Sequence, residues 1–131
     1  MIEEGDSLRY ELFICAEPDT VFDFLVEPEA MKQWFGIAHV LEARPDGIFR
    51  VEVSPGYVAL GKYTLVERPR RVCLTWGWEE AADPAMRSLG PGASLIDIVL
   101  EPKGGGTLLV FTQSRLPPSA SKRHGARWQV H

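Results

Sequence analysis

The spacing of apolar residues changes period along this chain. In "LRYELFIC", Leu8, Tyr10, Leu12 and Ile14 alternate with Arg9 and Glu11, a period of two that predicts a half-buried strand. In "EPDTVFDFLVEPEAMKQWFG" the period lengthens. Val21, Phe22 and Leu25 fall on one helical stripe, and Pro18 with Asp19 suits a first turn. Pro28 ends that helix and opens another, and Gly36 stops the second, so two short helices are predicted over 18–26 and 28–35. From Ile37 to Ser114 the pattern is strand and turn, with strands near 37–43, 48–54, 57–67, 71–79, 93–101 and 107–114. "RPDG" suits a type I turn, "SPGY" a type II turn, and "GGGT" a hairpin turn. Such short links predict antiparallel neighbours. "EEAADPAMRSLGPG" is long for a hairpin link, which predicts a mobile loop at a cavity mouth. Ala120, His124, Trp128 and His131 then share one helical face, which predicts a short final helix from Pro118.

The strands are two-faced. Phe49, Val51 and Val53 alternate with Arg50 and Glu52, and Val72, Leu74, Trp76 and Trp78 alternate with Cys73, Thr75 and Gly77. Ile96, Ile98 and Leu100 alternate with polar or smaller residues, and Leu109, Phe111 and Gln113 with Leu108, Val110 and Thr112. A sheet with one apolar face must be covered. Burying one Trp removes about 200 Å² from water, at most about 5 kcal/mol. The final helix would span only about 20 Å, so a cavity or a partner is expected to take the rest of the face. The candidate cavity residues are Trp34, Phe35, Phe49, Val51, Leu74, Trp76, Trp78, Ile96, Ile98, Leu109, Phe111, Gln113, His124 and Trp128. Plain core packing is the competing reading of the same residues, and for His124 a hydrogen-bonded core histidine.

Composition narrows the function. The chain has 131 residues, enough for one domain, and a net charge of -4, which argues against nucleic-acid binding. Arg68, Arg70 and Arg71 around Pro69 read as a solvated turn rather than an anion site. No apolar run is long enough to span a membrane, and the acidic "MIEEGDSLRY" is unlike a signal peptide, so a cytoplasmic location is expected. Cys15 and Cys73, without C-x-x-C spacing, read as reduced packing residues. His39, His124 and His131 form no metal spacing, and no cofactor motif or Ser-His-Asp set is present. The acids Glu79, Glu80 and Asp83 read as a solvated loop rather than a general base. No catalytic set emerges.

The order strand, two short helices, six antiparallel strands and helix resembles the START-like (SRPBCC) superfamily. Within it the chain resembles small proteins related to the C-terminal domain of the heat-shock protein 90 ATPase activator. The likeness is carried by "AEPDTVFDFLVEPEAMKQWFG", "RPDGIFRVEV", "GKYTLVERPRRVCLTWGWEE", "SLIDIVLEPKGGGTLLVFTQSRLP" and "HGARW". The resemblance implies an α+β helix-grip fold, a curved antiparallel sheet around a C-terminal helix with an apolar cavity between them. It also implies a small apolar ligand or, as the runner-up, a co-chaperone contact; cyclase or hydrolase chemistry ranks third. Gln113 stands where relatives carry His or Glu, and Arg127 stands at the glycine of a His-x-x-Gly-Trp motif. The short final helix, with Leu108 and Val110 on the outer face of the last strand, leads to the expectation of a two-fold homodimer.

Overall fold

The computed structural model of the protein describes residues 2–4, 7–87 and 89–115. Its strands are β1 (Ile2–Glu4), β2 (Ser7–Ile14), β3 (Ala38–Leu41), β4 (Ile48–Ser54), β5 (Tyr57–Glu67), β6 (Arg71–Ala81), β7 (Ser94–Lys103) and β8 (Gly106–Ser114). The helices are α1 (Pro18–Val26), α2 (Pro28–Met31) and α3 (Pro84–Arg87). The strands form one sheet in the order β1-β2-β8-β7-β6-β5-β4-β3, with every pairing antiparallel. β3 to β8 form the expected meander. β2 crosses the molecule to join β8, and β1, which its sequence did not announce, extends that edge. The final helix expected from Pro118 lies outside the described residues.

Both helices over the sheet begin at a proline. Pro18 opens α1 and Asp19 adds negative charge to its first turn, where the helix dipole favours it. Val21, Phe22, Leu25 and Val26 are its buried stripe, and the chain turns extended at Glu27 because Pro28 follows. The second helix is shorter than expected. α2 closes after one turn, and the chain tightens through i→i+3 bonds from Gln33 to Ala30 and from Trp34 to Met31. Gly36, at φ +83°, then turns the chain into β3; a side chain there would meet Val51 Cγ1 at 2.5 Å.

Arg68, on the turn after β5, clamps α1 to the sheet. Its guanidinium donates to Asp19 Oδ1 at 3.1 Å and Asp23 Oδ1 at 2.5 Å, and its Cζ lies 4.7 Å from the centroid of the Phe22 ring. Arg71 is bound to Asp97 through two hydrogen bonds of 2.7 and 3.0 Å. These two arginines are paired within the protein.

Several local expectations are corrected. The Arg44–Gly47 turn has Asp46 at φ +66°, so it is not type I, and Gly47 is needed because a Cβ would lie 1.8 Å from the Glu42 carbonyl oxygen. Cys15 is exposed just past β2 rather than packed, and Cys73 is half-buried beside Asp97; both are free thiols. The 79–92 stretch is not a loop at a cavity mouth. β6 continues to Ala81, α3 follows, and Met86 and Leu89 are buried in the core. Leu89 accepts from the Trp78 N–H at 2.8 Å, and Gly92 donates to the Leu60 carbonyl at 3.0 Å. The segment reaches β5 by passing over Gly77, where a Cβ would sit 1.5 Å from the Gly90 carbonyl oxygen.

Gly77→Ala is therefore expected to lower stability by about 1–3 kcal/mol, the usual penalty for forcing atoms into a packed region. Urea unfolding checks it; an unchanged midpoint would mean that the 89–92 segment is not held against β6.

Candidate functional site

The cavity follows from side-chain parity. Across β2, β8, β7 and β6 the register aligns Tyr10, Phe111, Ile98 and Val72 in one row. It aligns Gln113, Ile96 and Leu74 in the next, with Leu8 at the β2 end. Because successive side chains alternate faces, all of these point to the side covered by α1 and α2. The outer face carries Arg9, Glu11, Asp97, Arg71 and Thr75.

Between this face and the helices lies a cavity of about 360 Å³. Among the described residues its sheet side is formed by Tyr10 and Leu12 of β2, Phe49 of β4, and Val72, Leu74 and Trp76 of β6. Ile96 and Ile98 of β7 and Leu109 and Phe111 of β8 complete that side. Leu25, Met31, Trp34 and Phe35 form the helical side, and Glu11 reaches the rim. The wall is almost wholly apolar. Trp34 is 37% exposed and Leu12 56% exposed, which marks the opening. Trp34 is fixed there by its indole N–H, which donates to the Phe24 carbonyl at 2.9 Å, and by stacking on Phe35 with centroids 5.3 Å apart.

Aromatic rings set the shape of the inner end. Trp76 lies 6.0 Å from Phe35, 5.6 Å from Phe49 and 5.6 Å from Trp78, centroid to centroid, all tilted or edge-on. Such geometry suits ring quadrupoles better than face-to-face stacking. The two tryptophans share a face but not a role. Trp76 walls the cavity, whereas Trp78 packs edge-on to Tyr57 at 5.8 Å and is buried beyond its end.

Of the candidates named from sequence, Trp34, Phe35, Phe49, Leu74, Trp76, Ile96, Ile98, Leu109 and Phe111 come together around the cavity. Val51 does not, because the Gly36 turn sits on it. Gln113 is fully buried away from the wall; its Nε2 donates to Ser94 Oγ at 3.0 Å, and Ser94 donates to the Trp76 carbonyl at 2.7 Å. That chain ties β8, β7 and β6 together where the ladder ends. His124 and Trp128 lie outside the described residues. Tyr10, Leu12, Leu25, Met31 and Val72 are wall residues that sequence reading passed over. Val72 was legible by continuing the Leu74–Trp76 alternation, and Leu25 by its place on the helical stripe. Tyr10 and Leu12 needed the β2–β8 pairing.

The chemistry is sparse. Glu79 is held by Arg50, with Nε 3.1 Å from Oε2, away from the cavity wall. No cluster of His, Cys, Asp or Glu able to hold a metal occurs among the described residues, and no described helix is long and apolar enough to cross a membrane. Tyr63 has a structural part. Fully buried, it donates to the Leu25 carbonyl at 3.1 Å and fastens the end of α1, hence the wall residue Leu25, to β5. Burial first, and the nearby Glu27 carboxylate second, push its phenol pKa well above the usual value.

Two short helices laid across one face of a curved antiparallel sheet, with an apolar cavity beneath, define an α+β START-like helix-grip fold. The chain belongs to the Activator of Hsp90 ATPase homolog 1-like protein family, whose model matches residues 15–131. Similar solved structures include a protein from Mesorhizobium loti, 22% identical, with 91% of this chain and 83% of that one covered at a TM-score of 0.75. An Hsp90 activator from Plasmodium falciparum is 16% identical, with 95% and 88% covered and a TM-score of 0.75. The Aha1 dimer from Colwellia psychrerythraea is 17% identical, with 95% and 88% covered and a TM-score of 0.75. At these identities the likeness is one of fold. No curated protein matches the sequence.

Tyr63→Phe is expected to cost about 1 kcal/mol, the loss of one buried hydrogen bond. Because the folded-state pKa is raised, the wild-type contribution is complete below the unfolded pKa of about 10 and is lost as pH climbs above it. The Phe variant should therefore lose stability less steeply above that pH than the wild type. Parallel alkaline slopes for the two proteins would show that Tyr63 ionises freely in the fold.

Proposed function

We propose that the protein binds a small, apolar molecule in the cavity between the sheet and α1–α2, without transforming it. One observation carries this reading: an opening walled by Trp34, Leu12 and a continuous set of aliphatic and aromatic side chains, with no acid–base or nucleophilic set facing it among the described residues. Its volume lies at the lower end of the roughly 300–1,000 Å³ typical of small-molecule sites, which are mostly apolar with few polar groups. The site proposed is Trp34, Phe35, Phe49, Leu74, Trp76, Ile96, Ile98, Leu109 and Phe111, with Tyr10, Leu12, Leu25, Met31 and Val72 added.

A chaperone contact is the second reading. It is supported by family membership and by the Plasmodium relative described as an Hsp90 activator. Self-association as a two-fold dimer belongs to the proposal as well, supported by the Colwellia relative, which is described as a dimer.

Titration with N-phenyl-1-naphthylamine, a neutral apolar fluorophore, tests the cavity. Saturable binding with enhanced emission and an upward shift in Tm is expected. Leu109→Trp, which adds bulk to the wall beside Leu12 at the opening, is expected to weaken binding at least about tenfold while keeping the fold, since binding to the native state alone is what raises Tm. Binding that is absent in the wild type, or unchanged in a folded Leu109→Trp protein, would show the space to be ordinary core.

A further inference from the structure

Among the described residues, the two edge strands of the sheet are unlike. β1 reads "IEE", a short acidic strand. β3 reads "AHVL" and follows Gly36-Ile37, so residues 36 to 41 contain no Asp, Glu, Lys or Arg and no proline. Free edges are normally guarded by charge, proline or a bulge that turns them away, because their unpaired backbone groups template further strands. β3 lacks the first two guards and exposes apolar side chains: Ile37 is 52% exposed, Val40 47%, and Ile48 of the neighbouring strand 40%.

The backbone register of this edge is self-complementary. β3 pairs β4 with Val40 opposite Arg50 and Ala38 opposite Glu52, and Glu42 N–H donates to the Ile48 carbonyl at 2.8 Å. Hydrogen-bonded and non-hydrogen-bonded pairs alternate along an antiparallel ladder. Glu42, Val40 and Ala38 therefore bond inward to β4, and the N–H and C=O groups of His39 and Leu41 point to the open edge. Two outward residues separated by one suit an antiparallel copy of themselves. With a two-fold axis at Val40, His39 of one chain meets Leu41 of the other in both directions, giving four backbone hydrogen bonds. The same axis sets Val40 against Val40 of the second copy, with both Ile48 side chains beside them on the outer face.

We infer that β3 is the dimer contact, pairing with β3 of a second copy to continue the sheet across the two-fold axis. The inference rests on the dimer proposed above and relocates it from the Leu108–Val110 surface, which lies inside the sheet rather than at an edge: both side chains are half-buried, with Phe13 and Glu101 as the strand partners of Leu108 and Glu11 and Val99 as those of Val110.

The test uses three variants in analytical ultracentrifugation over a range of micromolar concentrations. Wild type is expected to show a concentration-dependent dimer. Val40→Lys and Val40→Glu, at an exposed position, are each expected to dissociate at least about tenfold more readily, because like charges would face each other across the axis. Mixed in equal amounts, they should re-form a dimer. Leu108→Lys should associate as wild type does. A wild-type protein that stays monomeric would remove the dimer reading itself. A dimer that survives Val40→Lys, that Leu108→Lys disrupts, or that the Lys and Glu variants fail to restore on mixing would remove the β3 contact alone.

Discussion

One constraint organises this protein: a curved sheet whose inner face is mostly apolar has to be covered. Among the described residues, α1 and α2 are what the chain lays over it, and they are short. Their hold is concentrated at a few points. Arg68 binds two carboxylates of α1 and stacks on Phe22, Tyr63 bonds the helix end at Leu25, and Thr107 Oγ1 donates to the Ala16 carbonyl at 2.7 Å. Ion pairs as exposed as those of Arg68 contribute little on their own. The buried Tyr63 bond and the Val21–Phe22–Leu25–Val26 stripe carry more. Where this cover thins, beyond Leu25 and Met31, the sheet face and the Trp34–Phe35 turn separate and the cavity begins.

Apolar volume thus has two fates in one molecule. At the β6 end, Trp78, Tyr57, Met86 and Leu89 close on one another, and Gly77 lets the 89–92 segment lie directly on the strand. One step along the same strand, Trp76 has rings on three sides and open space on the fourth. A two-residue shift along β6 separates core from wall, and the difference is made by what the rest of the chain places above each ring.

That difference explains what the sequence could and could not disclose. Alternation located β2 and β4 to β8 almost to the residue, and Pro18, Pro28 and Gly36 located the helices, because these are local signals. The inward set on β6 to β8 was legible for the same reason. Val51 and Gln113 were misplaced as wall residues because periodicity reports the face and not the depth: Gly36 seats on one, and Ser94 bonds the other. Tyr10 and Leu12 were missed because β2 reaches the site only through its pairing with β8, a contact about a hundred residues distant in sequence, which no local pattern encodes. The 79–92 stretch misled for a related reason. Its length and acids resemble a free loop, but Met86 and Leu89 are the anchors that seat it.

The central claim is that the space beneath α1 and α2 admits a ligand rather than being closed core. Methyl-resolved NMR of isoleucine- and leucine-labelled protein, titrated with an apolar fluorophore or with molecules extracted from the producing cells, measures this most directly. The account predicts shift changes and intermolecular NOEs at Ile96, Ile98, Leu74 and Leu109, with Ile48, on the outer face, unaffected. Unperturbed wall methyls at saturating ligand, or perturbation confined to the outer-face residues Ile48 and Leu108, would contradict it.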